Sequence, residues 1–383
     1  MGTAQRLCPD GMTGRWQRWW QSVTGRSGAP GDPAPAPVRR PVTAPVPLAP
    51  EFEWRDAIID ADPSAVRDYP LPPTGGLPEQ LASFQITAPD ALLEEQARRV
   101  RTVLRAIPPP PRALQQLVSP DFVSRAGASE LAALVMGEPL VAAKVMAAVN
   151  SPLYGVRQPV GSVSQAITFL GLTTVRNICL RHMLGISFNS GSPFGRRVLD
   201  TLDASGGLAG ALCLRLAPRL QLADPGALAT GVVISFVGHL AATTFQHASR
   251  APDDAVAPGA LLPRLRLQQA HWGVSAGALG QLLMREWKLP AHLAADAWAL
   301  ESVLVTPLEA VPPARAPALA LGYLCARIGE RLACGQFLGP QELDTVFDCD
   351  PDFHHLRSYM GLPALAGLPA LLREEQTLEG LRV

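Results

Sequence analysis

The residues of this 383-residue chain best suited to bind a metal ion are its histidines, cysteines and carboxylates, and their spacing builds few sites. His354 and His355 are adjacent and lie beside Asp348, Asp350 and Asp352. Adjacent histidines rarely converge on one ion, so the run reads as a solvated acidic turn, with a displaced metal site as the alternative. His239 and His247, eight residues apart, fall roughly on one helix face and read as one partly buried and one exposed histidine. The six cysteines (Cys8, Cys179, Cys213, Cys325, Cys334, Cys349) contain no C-x-x-C pair, and three lie in apolar helical stretches. Reduced thiols in a reducing cytosol are expected. Gly185-Ile186-Ser187 lacks the G-x-S-x-G elbow, and the chain has neither a G-x-x-x-x-G-K-[ST] loop nor a strand-borne G-x-G-x-x-G. No catalytic residue, resident metal or cofactor is expected.

A chain with 48% hydrophobic and 17% charged residues can bury a large core. Lys+Arg and Asp+Glu both number 33, so the overall balance points to no nucleic-acid partner. The apolar stretch 227–242 contains Thr230, Ser235 and His239 and is shorter than a membrane span requires. A cytoplasmic protein is expected.

The elements that would position any site are helical. Residues 29–50 form a Pro/Ala run that cannot propagate helix hydrogen bonds. Ahead of it, Trp16, Trp19 and Trp20 would share one face of a short helix, with Arg15 and Arg18 nearby. That face could dock on the body, bind a partner or lie at a membrane interface. A turn or two is expected around 54–59, then a helix opened by Pro89 and Asp90, with Leu92, Leu93, Val100, Val103 and Leu104 on one apolar side. The segment 129–137 ends in a C-cap glycine, and Pro139 starts a helix that stops at Asn150, a residue tolerant of the left-handed conformation. Ser162 and Gln165 read as a capping box before Val163, Ala166, Ile167 and Leu170, and Gly171 closes that helix. Thr173 or Thr174 is expected to cap the next, with Val175, Ile178, Cys179 and Met183 inward. Further helices are predicted at about 202–217, 226–247, 274–287, 290–304, 315–334, 340–347 and near the C-terminus. No strand is predicted.

Two words in this helical series are specific. Residues 149–155 read VNSPLYG and residues 162–171 read SVSQAITFLG. With the IPPPPRAL turn before them and Trp287-x-Leu289-Pro290 after, they resemble the HDOD family over about residues 106–302. The resemblance implies an all-α, HD-domain-like helical bundle. The chain would then divide into a disordered Trp/Arg segment and Pro-rich linker (1–55), a lead-in and packing helix (56–105), the HDOD domain (106–302) and a C-terminal helical extension (303–383). The motif residues, structural or recognitive, are Asn150, Ser151, Tyr154, Gly155, Ser162, Ala166, Ile167, Leu170, Gly171, Trp287, Leu289 and Pro290. The bland reading is preferred: Asn150 ends a helix, Ser151 hydrogen-bonds its loop, Tyr154 packs with its hydroxyl satisfied, and Trp272, Trp287 and Trp298 are core aromatics.

HDOD domains are related to HD and HD-GYP phosphohydrolases, whose histidines and aspartates hold metal ions that activate water. The resemblance puts the His-Asp pair at Ile234-Ser235 or Ser235-Phe236, depending on register. Ala204 falls on the helix of the first histidine, Ala276 on a later slot, and Leu300-Glu301 on the final histidine pair. These are degenerate ligand slots. The family implies a non-enzymatic bacterial regulator that binds other signalling proteins. The alternatives are a residual metal-dependent phosphohydrolase or nucleotide-binding protein, and a membrane-peripheral adaptor touching lipid only through Trp16, Trp19 and Trp20. Removing residues 1–50 should leave the thermal midpoint of the full chain nearly unchanged, because a Pro/Ala run buries little apolar area. A fall of about ten degrees or more in thermal unfolding would place the three tryptophans in the core.

Overall fold

The computed structural model describes residues 77–156, 158–336, 350–374 and 377. The Trp16/Trp19/Trp20 face, the Pro/Ala run, the turn or two expected at 54–59 and the helix expected at 340–347 lie outside them. The described elements are α- and 3-10 helices without a strand. In chain order the helices are α1 (Glu79–Ala82), α2 (Glu94–Arg105), α3 (Arg112–Leu117), α4 (Pro120–Arg125), α5 (Ala128–Met136), α6 (Pro139–Val149), α7 (Val163–Leu170), α8 (Leu172–Gly185) and α9 (Pro193–Arg219). They continue with α10 (Pro225–Ser235), α11 (Val237–Ser249), α12 (Leu261–Trp272), α13 (Ala276–Glu286), α14 (Ala291–Ser302), α15 (Ala316–Ala333), α16 (Leu356–Tyr359) and α17 (Leu368–Arg373).

The N-terminal helices form one packed group, in which α6 lies on α8 and α5 and α6 lie on α7. Val141, Val145, Ala148 and Val149 of α6, and Val175, Ile178, Cys179 and Met183 of α8, are buried as their spacing predicts. The Ser162 hydroxyl accepts from the Gln165 amide at 3.1 Å, while the Gln165 side chain accepts from Gly161 rather than Ser162. Gly171, at φ 81°, ends α7 in a conformation that favours glycine.

Several local expectations are corrected. Asn150 is not left-handed, with φ −84°; Gly155, at φ 58°, makes that turn. The Ser151 hydroxyl is buried and makes no hydrogen bond, so it does not brace its loop. Neither Thr173 nor Thr174 caps α8, which starts directly after Gly171. Pro89 and Asp90 open only a 3-10 turn, and Leu93 is exposed, because α2 starts one residue after it. Leu170 is half-buried rather than part of the fully buried face.

The second half is built on α9, which packs most extensively against α15 and α10, with α11 on α13 and α14 on both α10 and α13. Helix α9 starts at Pro193, capped by Ser192, well before the expected 202. Its glycines allow close packing: a Cβ at Gly206 would lie 3.5 Å from the Phe236 ring, and one at Gly210 would lie 2.8 Å from Val233. Helix α12 was not expected at all. The alternation of Leu and Arg from 261 to 267, with Pro263 inside, obscures its period. The apolar stretch at 227–242 is part of a longer helical run, Pro225–Ser249, that meets the length and hydropathy of a span, but 83% of its most apolar window is buried in the protein. Its side chains form core contacts among the helices. Cys179, Cys213 and Cys325 are buried free thiols, and Cys334 is half-buried and also free.

The two ends of the apolar face of α7 give a graded test. Ile167→Ala should cost about 2 to 4 kcal/mol in denaturant unfolding, and Leu170→Ala only about 1 kcal/mol, because part of its side chain already meets water. Equal costs would show that α7 is rotated from the orientation described.

Candidate functional site

The degenerate ligand slots sit where α9, α10, α11, α13 and α14 meet. Ile234, Phe236, Ala204, Ala276 and Leu300 are all buried. The half-buried Ser235 spends its hydroxyl on the Val232 carbonyl at 2.7 Å. The Phe236 ring lies over Gly206, two residues beyond Ala204. Helices α11 and α13 touch backbone to backbone: a Cβ on Gly238 would overlap the Ala276 carbonyl, and one on Gly280 would lie 2.9 Å from the Gly238 nitrogen. A Leu300 methyl lies 3.8 Å from where Gly231 would carry a Cβ. Every slot except Ser235 and Glu301 thus carries a buried apolar side chain.

Glu301 is the one slot with a carboxylate, and it is already engaged. Its Oε1 accepts from the Gly277 amide at 2.8 Å and the Ser275 hydroxyl at 3.3 Å. Its Oε2 lies 3.3 Å from Nε2 of the buried His239. Burial acts to raise the Glu301 pKa, and His239, the Gly277 amide and Arg327 outweigh it and hold it below the usual carboxylate value. Residue type and spacing gave no sign of this pair. His239 is fully buried rather than partly so, while His247 is exposed.

A second polar cluster ties α12 to α15. Glu330 is buried between Arg264, which contacts Oε1 and approaches Oε2 at 3.2 Å, and Arg327, which donates to Oε2 at 2.6 Å. The Gly259 amide adds a bond to Oε1 at 3.1 Å. Asp350 and Asp352 are buried, not a solvated turn: Asp350 pairs with Arg331, and Asp352 accepts from the Leu261 and Leu262 amides at 2.5 and 2.7 Å. Asp352 anchors the start of α12 and Asp350 is tied to Arg331 of α15, so neither is available to His354 and His355. Among the described residues no three histidine, cysteine or acidic side chains are grouped to hold a metal; Asp348 lies outside them.

A cleft of about 380 Å³ opens between α6, α8 and α9, lined by Lys144, His182, Asp200 and Asp203, with Leu140 and Ile186 at its edge. Arg181 approaches the Asp203 carboxylate at 3.6 Å and donates to its carbonyl at 3.1 Å. Arginine carries only donors, so the 3.2 Å contact from Arg181 makes His182 Nε2 an acceptor and leaves the proton on Nδ1.

The motif residues are mostly structural. The Asn150 side chain donates to the Met146 and Val160 carbonyls at 2.9 and 3.0 Å and accepts from the Val160 amide at 2.7 Å, closing the loop between α6 and α7. Tyr154 is half-buried. Ala166 and Ile167 are core residues. Trp287 packs on Phe188 with ring centroids 5.9 Å apart, Leu289 is buried, and Pro290 precedes α14. Trp272 is buried with its indole N–H bonded to Ser249 at 2.7 Å, whereas Trp298 is half-buried.

The buried imidazoles give the fold a pH dependence. Burial lowers the pKa of both from the ordinary 6.5, with Arg181 and Lys144 adding at His182, and Arg264 adding at His239 against the opposing pull of Glu301. Below 6.5 the unfolded chain takes up protons that the folded chain refuses, so stability falls as the pH drops. Glu301 and Glu330 titrate below their ordinary 4.5, so their stabilisation persists above that value and is lost only at lower pH. Asp352, its pKa raised by burial to about 6, and Asp203, also raised by burial, oppose this loss, so the acid fall in thermal midpoint from pH 6.5 to about 5 is read as a difference: it should be smaller in His182→Gln with His239→Gln than in the parent. An unchanged slope in the double variant would show that these rings do not cause it.

The HDOD domain family matches residues 107–300. Among solved structures, an HDOD domain protein from Geobacter sulfurreducens, of unknown function, aligns with a TM-score of 0.52 at 17% identity, over 75% of this chain and 96% of its own. A signal transduction protein from Marinobacter aquaeolei VT8 aligns at 0.46 and 17% identity, over 76% of this chain and 68% of its own. A provisionally named phosphohydrolase from Shewanella amazonensis SB2B aligns at 0.48 and 16% identity, over 74% and 94%. No curated protein matches the chain. The family match spans just over half of the chain, includes both sequence words and joins them to the helical fold described: this protein belongs to the HDOD family.

Proposed function

We propose that this protein is a non-enzymatic regulator in the cytoplasm that binds other signalling proteins through its HDOD body. The observation that carries the reading is the packing at the degenerate slots. Hydrolysis through a bound metal needs an open coordination position and room for water. Here Ile234, Phe236, Ala276 and Leu300 occupy the slots, and the Gly238–Gly280 crossing fills the space with backbone.

A surface for partners is available elsewhere. Met136, Leu140, Phe169 and Ile186 are large apolar side chains at least half exposed, and all four lie at α5 to α8. Leu140 and Ile186 share the edge of the 380 Å³ cleft. Apolar groups beside the Lys144, Asp200 and Asp203 charges give the mixed character of a transient protein interface.

Two measurements test the reading together. Elemental analysis should find no stoichiometric Mn, Fe, Mg or Zn, with no turnover of a generic phosphodiester in added Mn. Cross-linking in cells should capture a defined partner that Leu140→Asp with Ile186→Asp loses at an unchanged thermal midpoint. Metal at about one ion per chain, with turnover abolished by His354→Ala and His355→Ala, would establish an enzyme instead.

A further inference from the structure

The described interior holds four buried arginines, and three of them end on a carboxylate: Arg264 and Arg327 on Glu330, and Arg331 on Asp350. Arg176 does not. It is 6% exposed on α8, and its one hydrogen bond is a long one, from Nη2 to the Thr230 hydroxyl at 3.5 Å. Asp224 attracts it from a distance, while its own Oδ1 accepts from the Ala227 amide at 2.9 Å as the cap of α10. Asp296 is already paired with Arg315 at 2.6 Å.

Arg176 lines a cavity of about 70 Å³ between α8, α10 and α14, with Thr230 and Asp296 beside it, His292 at the edge and apolar walls from Leu180 and Leu293. The neighbourhood has donors in excess. A guanidinium carries five N–H donors, of which this one uses a single long bond. The adjacent Asn177 amide nitrogen is buried with no partner, and its oxygen is taken by the Thr230 hydroxyl at 2.8 Å. Burial lowers the Arg176 pKa against the pull of Asp224, as it must for a cation taken out of water without a contacting counter-charge. An acceptor with negative charge is what the arrangement lacks.

Size and shape narrow its identity. One water needs about 10 to 15 Å³ of such space, so the cavity admits a group of a few heavy atoms and is far smaller than the roughly 300 Å³ of an ordinary small-molecule pocket. The planar guanidinium fork matches a carboxylate in two parallel hydrogen bonds. We propose that the Arg176 cavity is a carboxylate-binding site, filled by a small free carboxylate or by one acidic side chain of a docked polypeptide. The site stands on this geometry and does not depend on the protein-interaction reading of the Leu140/Ile186 surface.

The test uses the full chain and two probes, sodium acetate against sodium chloride at equal ionic strength, and the capped peptide Val-Glu-Val against Val-Gln-Val. Acetate should raise the thermal midpoint saturably, chloride should not, and Arg176→Met should abolish the response. The ¹⁵N resonance of Arg176 Nε in the unsubstituted protein should move on the same titration, which keeps the test decisive if Arg176→Met fails to fold. Val-Glu-Val binding about tenfold or more tighter than acetate supports a carboxylate presented by a polypeptide, and comparable affinities support a free one. No Arg176 shift with either probe, or equal binding of Val-Glu-Val and Val-Gln-Val together with an acetate response that survives Arg176→Met, would overturn the proposal.

Discussion

The closure of the degenerate slots depends on one steric constraint, the backbone contact between α11 and α13 at Gly238 and Gly280. Two helices approach this closely only where neither carries a Cβ, and here a methyl group on Gly238 would meet the Ala276 carbonyl. The contact draws the start of α13, with Ala276, against the α10–α11 junction. A similar approach joins α9 to α15, where a Cβ on Gly329 would lie 2.7 Å from the Ala209 nitrogen. Glycines therefore set the spacing of the helices that surround the slots, and apolar side chains seal what remains.

The buried charges fit inside that frame. Glu330 is held by two arginines and a backbone amide, Glu301 by His239, Ser275 and the Gly277 amide, and Asp352 by two amides at the start of α12. Removing one member of such a cluster strands the others in a low-dielectric interior, so these groups fix the relative positions of α12, α14 and α15. Hydrogen-bonded ion pairs and close helix crossings organise the helices of this chain.

Much of this was legible along the chain wherever the signal was local. Ser162 and Gly171 announce the ends of α7, Pro139 announces the start of α6, and the apolar residues of α6 and α8 are buried as spaced. The misses have physical causes. Helix α9 was expected only from 202 and starts at Pro193, because Pro193 and Gly195 lower the helix propensity of the turn that Ser192 caps. Helix α12 alternates Leu and Arg because Arg264 pairs with Glu330 and Arg266 reaches the Gln80 carbonyl and Ser83 hydroxyl, while the leucines make apolar contacts. The ligand slots could be placed only by resemblance, and the pairing of Glu301 with His239, or of Arg264 with Glu330 some 66 residues away, exists only once the chain has folded.

The degenerate slots lie against a backbone contact between helices and are not merely short of ligands. Thermal and denaturant unfolding of Gly280→Ala tests that contact most directly, with Gly185→Ala as the control, since a Cβ at Gly185 meets nothing within 4 Å. The account predicts a loss of about 3 kcal/mol or more for Gly280→Ala and no loss for the control. A Gly280→Ala protein as stable as the parent would show that α11 and α13 do not touch and would contradict closure by backbone packing.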